Sequence, residues 1–150
     1  MKRLEIDLGK CEYGQHCEHE CERACATKMF KFDDPKRAAL HIRKTADGGE
    51  AILCNQCGDC LSVCPVLALT RNKNGVVMLS KKNCTGCFMC LGYCTRNIFE
   101  RAPGAAEPYK CTVCGHCVKA CPRGALSIVD VPLPPTRLAC AHTSTPIQAH

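Results

Sequence analysis

This 150-residue chain has no tryptophan, and its aromatic complement is four Phe and three Tyr. So little bulky apolar material cannot bury a large hydrophobic core, so something other than side-chain packing must hold the chain together. No window approaches the roughly 18 apolar residues of a membrane span, and insertion as a transmembrane helix is not expected. The N-terminus, Met1 to Leu8, has no apolar h-region, turns charged within its first residues and carries no twin-arginine signal. A cytoplasmic location is therefore expected. Phosphate loop, flavin fingerprint and nucleophile–base pair are missing as well, and His41, His116 and His142 stand isolated. An enzyme in its own right is not expected.

What the chain has in excess is cysteine, 17 residues in all. Dense cysteines mean either a disulfide framework or metal ligation. Disulfides belong to oxidising compartments; in a reducing cytoplasm the thiols read as metal ligands.

The cysteines fall into four blocks, and this internal repeat organises the sequence. Cys54, Cys57, Cys60 and Cys64 have the spacing C-x2-C-x2-C-x3-C, followed by Pro65. Cys84, Cys87, Cys90 and Cys94 repeat it with Thr95 in place of proline, and Cys111, Cys114, Cys117 and Cys121 repeat it again before Pro122. The first block is looser: Cys11, Cys17, Cys21 and Cys25, followed by Ala26. Only Cys140 is left over. Three cysteines three apart let one loop wrap a corner of a cubane, each thiolate on a different iron, and the fourth begins a following helical turn. Zinc would want two separate C-x-x-C knuckles, and the third evenly spaced cysteine has no role there. An iron–sulfur hydratase would need an open iron, whereas every block here supplies four ligands. In the first block, Cys17, Cys21 and Cys25 at four-residue steps could lie along one helical face. His16 and His19 there read as groups beside the site or in solvent.

The net charge of +6 counts the thiols as neutral. Each oxidised cubane with four thiolates adds about −2, so four of them leave a total near −2. The basic character belongs to the metal-free chain, and nucleic-acid binding loses its main support. Charge is also uneven: Glu12, Glu18, Glu20 and Glu22 crowd the first block around Arg23. Residues 81–125 carry Lys81, Lys82, Arg96, Arg101, Lys110, Lys119 and Arg123 against Glu100 and Glu107. A cluster beside carboxylates is expected to have the lower potential.

Short strands are expected at Leu4–Leu8, Val76–Leu79 and Leu126–Val131, with a turn at Asn72–Gly75, and the apolar Ala51–Leu53 precedes the second block. Pro35 to Lys44 reads as a short helix, with proline at its start and Ala38, Ala39, Leu40 and Ile42 in its body. From Pro132 the tail is rich in Pro, Thr, Ala and His, and it should be extended or lie on a partner.

Cys64-Pro65 through Leu69, the turn, Val76–Leu79 and Cys84-Thr85-Gly86-Cys87 resemble the linker of a bacterial two-cluster ferredoxin. Tyr109-Lys110-Cys111-Thr112-Val113-Cys114 through Cys121-Pro122-Arg123-Gly124-Ala125-Leu126 is similar to the last motif of the four-cluster electron-transfer subunits of molybdenum and tungsten oxidoreductases, formate dehydrogenases and hydrogenase complexes. The short length resembles the small iron–sulfur subunit of tungsten aldehyde oxidoreductase complexes.

The resemblance implies an α+β fold of two bacterial-ferredoxin-like two-cluster modules, with short strands and helices around cubane clusters, and an extended C-terminal tail. It places a polyferredoxin domain at 1–131 (blocks 11–25, 54–64, 84–94 and 111–121) and a docking tail at 132–150. It implies four [4Fe–4S] clusters with nested pairing. Cys54, Cys57, Cys60 and Cys94 hold one; Cys84, Cys87, Cys90 and Cys64 a second. Cys111, Cys114, Cys117 and Cys25 hold a third; Cys11, Cys17, Cys21 and Cys121 a fourth. The implied partners are a catalytic molybdenum or tungsten oxidoreductase subunit and a flavin subunit or ferredoxin, in a hetero-oligomer without nucleic acid or membrane insertion. The alternatives are a free-standing polyferredoxin and a redox-sensing or zinc-binding module.

Overall fold

Leu4 lies between the charged Arg3 and Glu5, and this alternation buries one apolar side chain while leaving an ion pair on the other face of a strand. The computed structural model describes residues 1–13, 17–45 and 48–133. Strand β1 (Lys2–Ile6) pairs antiparallel with β6 (Leu126–Asp130), Leu4 opposite Ile128, so the two ends of the described chain meet. β2 (Leu40–Thr45) pairs with β3 (Gly48–Leu53), and β4 (Leu69–Arg71) with β5 (Val77–Leu79). Among the described residues the α-helices are α1 (Glu20–Phe30), α2 (Asp59–Ser62), α3 (Met89–Tyr93) and α4 (His116–Ala120). The result is a small mixed helix–strand fold. Among the described residues, no helix is long and apolar enough to cross a membrane.

Two sequence expectations fail here. Residues 35–44 do not form a helix: a single 3-10 turn at Pro35–Arg37 gives way to strand β2. The cause lies outside the segment. The Ala39 N–H donates to Cys25 Sγ (3.3 Å) and the Ile42 N–H to the buried Glu22 Oε1 (2.7 Å). A helix would have turned both N–H groups onto its own carbonyls. Leu40 and Ile42, expected in the body of a helix, are alternate inward residues of a strand, buried against β3 and α1. The second miss concerns the cysteine blocks. The third cysteine (Cys60, Cys90 or Cys117), not the fourth, sits in each short helix, and Cys94 and Cys121 follow the last helical residue.

The core is thin and mixed. Leu4, Leu40, Ile42, Leu53, Leu69, Val77, Ile98, Phe99 and Leu126 are buried together with Cys21, Cys25, Cys54, Cys90, Cys111 and Cys117. α1 packs on α4, so the first and last blocks face each other.

Gly86 shows how tightly the loops are set. Its φ is +69°, and a Cβ there would stand 2.3 Å from the Ala106 carbonyl oxygen. Gly86→Ala should cost roughly 2–4 kcal/mol through strain and overlap with backbone. Gly92, in α3 with nothing within 4 Å of an added Cβ, should accept alanine with no loss. Anaerobic heating, followed by loss of visible absorbance, would separate the two; equal midpoints would refute the steric argument.

Candidate metal centres

The three regular blocks share one backbone design. Two residues after the first cysteine the chain turns left-handed, at Gln56 (φ 62°), Gly86 (φ 69°) and Val113 (φ 55°). It does so again two residues further on, at Gly58, Phe88 and Gly115 (φ 92°, 57° and 79°). A third such residue lies three after the fourth cysteine, at Leu67, Asn97 and Gly124. L-residues rarely hold this conformation unless the surroundings enforce it. Left-handed residues among ordinary ones turn successive N–H groups into one concavity, which suits an anion. Several of these N–H groups reach sulfur: Gln56 N–H donates to Cys54 Sγ (3.4 Å) and Val113 N–H to Cys111 Sγ (3.4 Å). Ala68 N–H donates to Cys64 Sγ (3.2 Å) and Ala125 N–H to Cys121 Sγ (3.4 Å). In the first block Cys25 lies inside α1, and its sulfur takes the N–H of Ala39 instead.

Cysteines of different blocks meet around shared cavities. Cys54, Cys57, Cys60 and Cys94 line one of about 390 Å³, mouth included, closed by Val77, Ile98 and Phe99. Cys25, Cys111, Cys114 and Cys117 line a second of about 340 Å³, against Leu4 and Leu40. Cys11, Cys17, Cys21 and Cys121 line a third of about 290 Å³, with Ile42 and Leu126. In the remaining block Cys64 and Cys84 both lie close enough to Cys90 to oppose ionisation of its thiol, while Cys87 is exposed. The cavities follow one another in space. The Cys21 thiol feels Cys117, Cys111 feels Cys54, and Cys60 feels Cys90.

The thiols ring these spaces instead of meeting at a point. Among the described residues no three His, Cys, Asp or Glu side chains lie close enough to share a single metal ion. A mononuclear zinc site would draw its four ligands to one tetrahedron. Burial pushes the thiols of Cys21, Cys60 and Cys117 up to about 12, and that of Cys111 up to about 11. As free thiols they would stay neutral at pH 7, so ligation to a cationic core must displace their protons. All sixteen described cysteines are free of disulfides. Ring, apolar lining and N–H···S donors together fit a [4Fe–4S] cluster. Bound there, the group supplies a one-electron couple.

The carboxylates of the first block have partners in the fold. Glu12 pairs with Arg123 and Glu18 with Arg23, while Glu22 accepts from Ile42 N–H and meets His19 Nδ1 at 2.9 Å. His19 lies beside the site against Tyr13, while His16 lies outside the described residues. Nothing in the local pattern marked the buried Gln56 or Arg71. The Arg71 guanidinium donates to the carbonyls of Gln56 (2.9 Å), Cys57 (2.6 Å) and Gly75 (2.6 Å), which ties the second block to the β4–β5 hairpin. The only available signal was a glycine at one or other left-handed position of each block.

Cysteine cages lined by inward-pointing N–H groups on so small a fold define a ferredoxin-type iron–sulfur protein. The chain belongs to the 4Fe–4S ferredoxin-type electron transport proteins: residues 46–95 match the 4Fe-4S dicluster domain and residues 107–127 the 4Fe-4S binding domain. It is 34% identical over 128 residues to the putative electron transport protein YsaA of Escherichia coli (strain K12), covering 74% of this chain and 81% of that one. It is 32% identical over 160 residues to the electron transport protein HydN of the same strain, covering 87% and 89%. A tetrathionate reductase subunit of Salmonella typhimurium (strain LT2) is 28% identical over 152 residues, covering 89% of this chain and 60% of that one. This chain is an electron carrier holding multiple [4Fe–4S] clusters, without catalysis of its own.

Proposed function

We propose that the chain relays electrons through four [4Fe–4S] clusters between a catalytic subunit and a redox partner. The observation that carries this reading is the make-up of the three cavities, each lined by three cysteines of one block and one of another. On this reading Cys54, Cys57, Cys60 and Cys94 hold one cluster and Cys84, Cys87, Cys90 and Cys64 its neighbour. Cys111, Cys114, Cys117 and Cys25 hold the third, and Cys11, Cys17, Cys21 and Cys121 the fourth. Two ferredoxin-like modules result: one contiguous, around the β4–β5 hairpin, the other assembled from both ends of the chain through β1 and β6.

The proximities between thiols of successive cavities support a linear order, from the Cys11 cage through the Cys111 and Cys54 cages to the Cys84 cage. Around the last of these Leu67 (71% exposed) and Met89 (55%) stand in solvent beside Cys64 and Cys90, and Cys87 is itself exposed. Apolar side chains next to an exposed ligand suit the docking of a partner at that end. The partner proposed is a molybdenum or tungsten oxidoreductase subunit, such as an aldehyde oxidoreductase, with a flavin subunit or ferredoxin as the other redox partner in a cytoplasmic hetero-oligomer. Residues 1–131 form the cluster-bearing domain in this reading, and 132–150 a docking arm. Residues 134–150, Cys140 included, lie outside the described residues.

Native, anaerobic purification followed by elemental analysis tests the reading. About sixteen irons per copy of this chain are expected beyond any held by partners. Molybdenum or tungsten should accompany them. About twelve irons would remove the Cys11 cage, and absence of both heavier metals would favour a free polyferredoxin.

A further inference from the structure

Lys110 precedes the first cysteine of its block, and in the sequence it reads as one more cation of the basic half. In the fold it is only 3% exposed. Its Nζ donates to the carbonyls of Val77 (2.6 Å) and Cys111 (3.0 Å) and to Gln56 Oε1 (3.2 Å). Three oxygen acceptors match the three protons of a lysine ammonium. Gln56, fully buried, fixes the arrangement: its Oε1 also accepts from Val77 N–H (3.0 Å), and its Nε2 donates to the Cys111 carbonyl (3.1 Å).

A buried ammonium normally has a carboxylate beside it, because an uncompensated buried charge is costly. None of the ion pairs among the described residues includes Lys110. Its surroundings show where the negative charge lies. Gln56 and Val77 line the cavity of Cys54, Cys57, Cys60 and Cys94, and Cys111 lines the cavity of Cys25, Cys114 and Cys117. On the cluster assignment proposed above, on which this inference rests, each cavity holds four thiolates around a dicationic core, a net charge of about −2. The ammonium stands between two anions.

We propose that Lys110 is a positioning residue for electron transfer: a fixed cation at the seam between the two modules that holds up the potentials of both clusters facing it. An added electron makes a cluster more negative, and a cation in the low-dielectric interior favours that state. Because both clusters face the same cation, their potentials rise together and the step between them changes little. One electron crosses from one cluster to the other and no proton moves with it, since all three protons of Lys110 are committed to their acceptors.

EPR-monitored redox titration of the iron-loaded full chain and of K110M, K110Q and K110R tests this. In K110M and K110Q two of the potentials should fall, each by about a tenfold change in the equilibrium for reduction or more, about 59 mV for one electron. The other potentials should stay in place, and K110R should resemble the parent. Clusters kept by K110R but lost from both neutral variants would also uphold a role for the charge. Unmoved potentials in a neutral variant that keeps its iron, or loss of iron from all three variants, would overturn it. The iron content of the parent protein is read from the same samples. A shortfall there would refute the cluster assignment, whereas full iron with unmoved potentials refutes only the role of Lys110.

Discussion

Stripping the iron from this protein should unfold it completely. Among the described residues, outside the cysteines, the buried apolar set is little more than Leu4, Leu40, Ile42, Leu53, Leu69, Val76, Val77, Ile98, Phe99, Leu126 and a few alanines. Among the described residues the strands form three separate two-stranded ladders, and an isolated ladder of that kind is marginal in water. α2, α3 and α4 have 4, 5 and 5 residues, far below the length at which a helix holds itself. Six cysteines form part of the buried core, and on the proposed cluster assignment removing the metal would leave holes lined by thiols where the packing should be. A chelator under anaerobic conditions should therefore abolish the far-UV dichroism of strands and helices along with the brown colour. An iron-free chain that still unfolds cooperatively in denaturant would show that packing alone suffices.

Cys25→Ala should cost the protein one whole cluster, about four irons per chain. Cys25 is 7% exposed inside α1, and its thiol lines the cavity of Cys111, Cys114 and Cys117, far from its own block in sequence. Four residues earlier, Cys21 lines the other cavity, that of Cys11, Cys17 and Cys121. One helix thus supplies two cages, and truncating one side chain should leave the other cage loaded. The Ala39 N–H loses its sulfur acceptor at the same time, which loosens the start of β2 from α1. Iron and acid-labile sulfide measured on the purified variant decide the matter. Full iron in Cys25→Ala would mean that another group closes the cage, and the nested assignment of the first and last blocks would fail.

How much of this was legible beforehand differs from element to element. Strand β1, the 72–75 turn with β5 after it, and β6 were visible because alternation and a turn signal are local properties. The segment 35–44 was not. Ala38, Ala39, Leu40 and Ile42 satisfy a helical pattern as well as a strand pattern. The choice fell to Cys25 Sγ, Glu22 and β3, none of which lies in that segment. The acidic first block was read as four carboxylates around Arg23, yet Glu12 finds Arg123 only once the last block has packed beside it.

By itself, the sequence determined the kind of ligand and the loop that presents it. A C-x2-C-x2-C run is so short that covalent geometry confines its three thiols to one corner of one site, whatever surrounds it. The count of blocks and the scarcity of other core material also belong to the sequence, and with them the dependence on metal. Which block sends its fourth thiol to which cage was implied only by the family resemblance; only the tertiary structure decided that one helix, α1, carries Cys21 and Cys25 to two different cages. The same holds for Lys110, in the sequence one more cation of the basic half and in the fold buried between two cavities. The physical reason is the same in each case. These placements are fixed by contacts between residues tens of positions apart, whose energies exist only after the chain has closed on itself, and no local pattern records them.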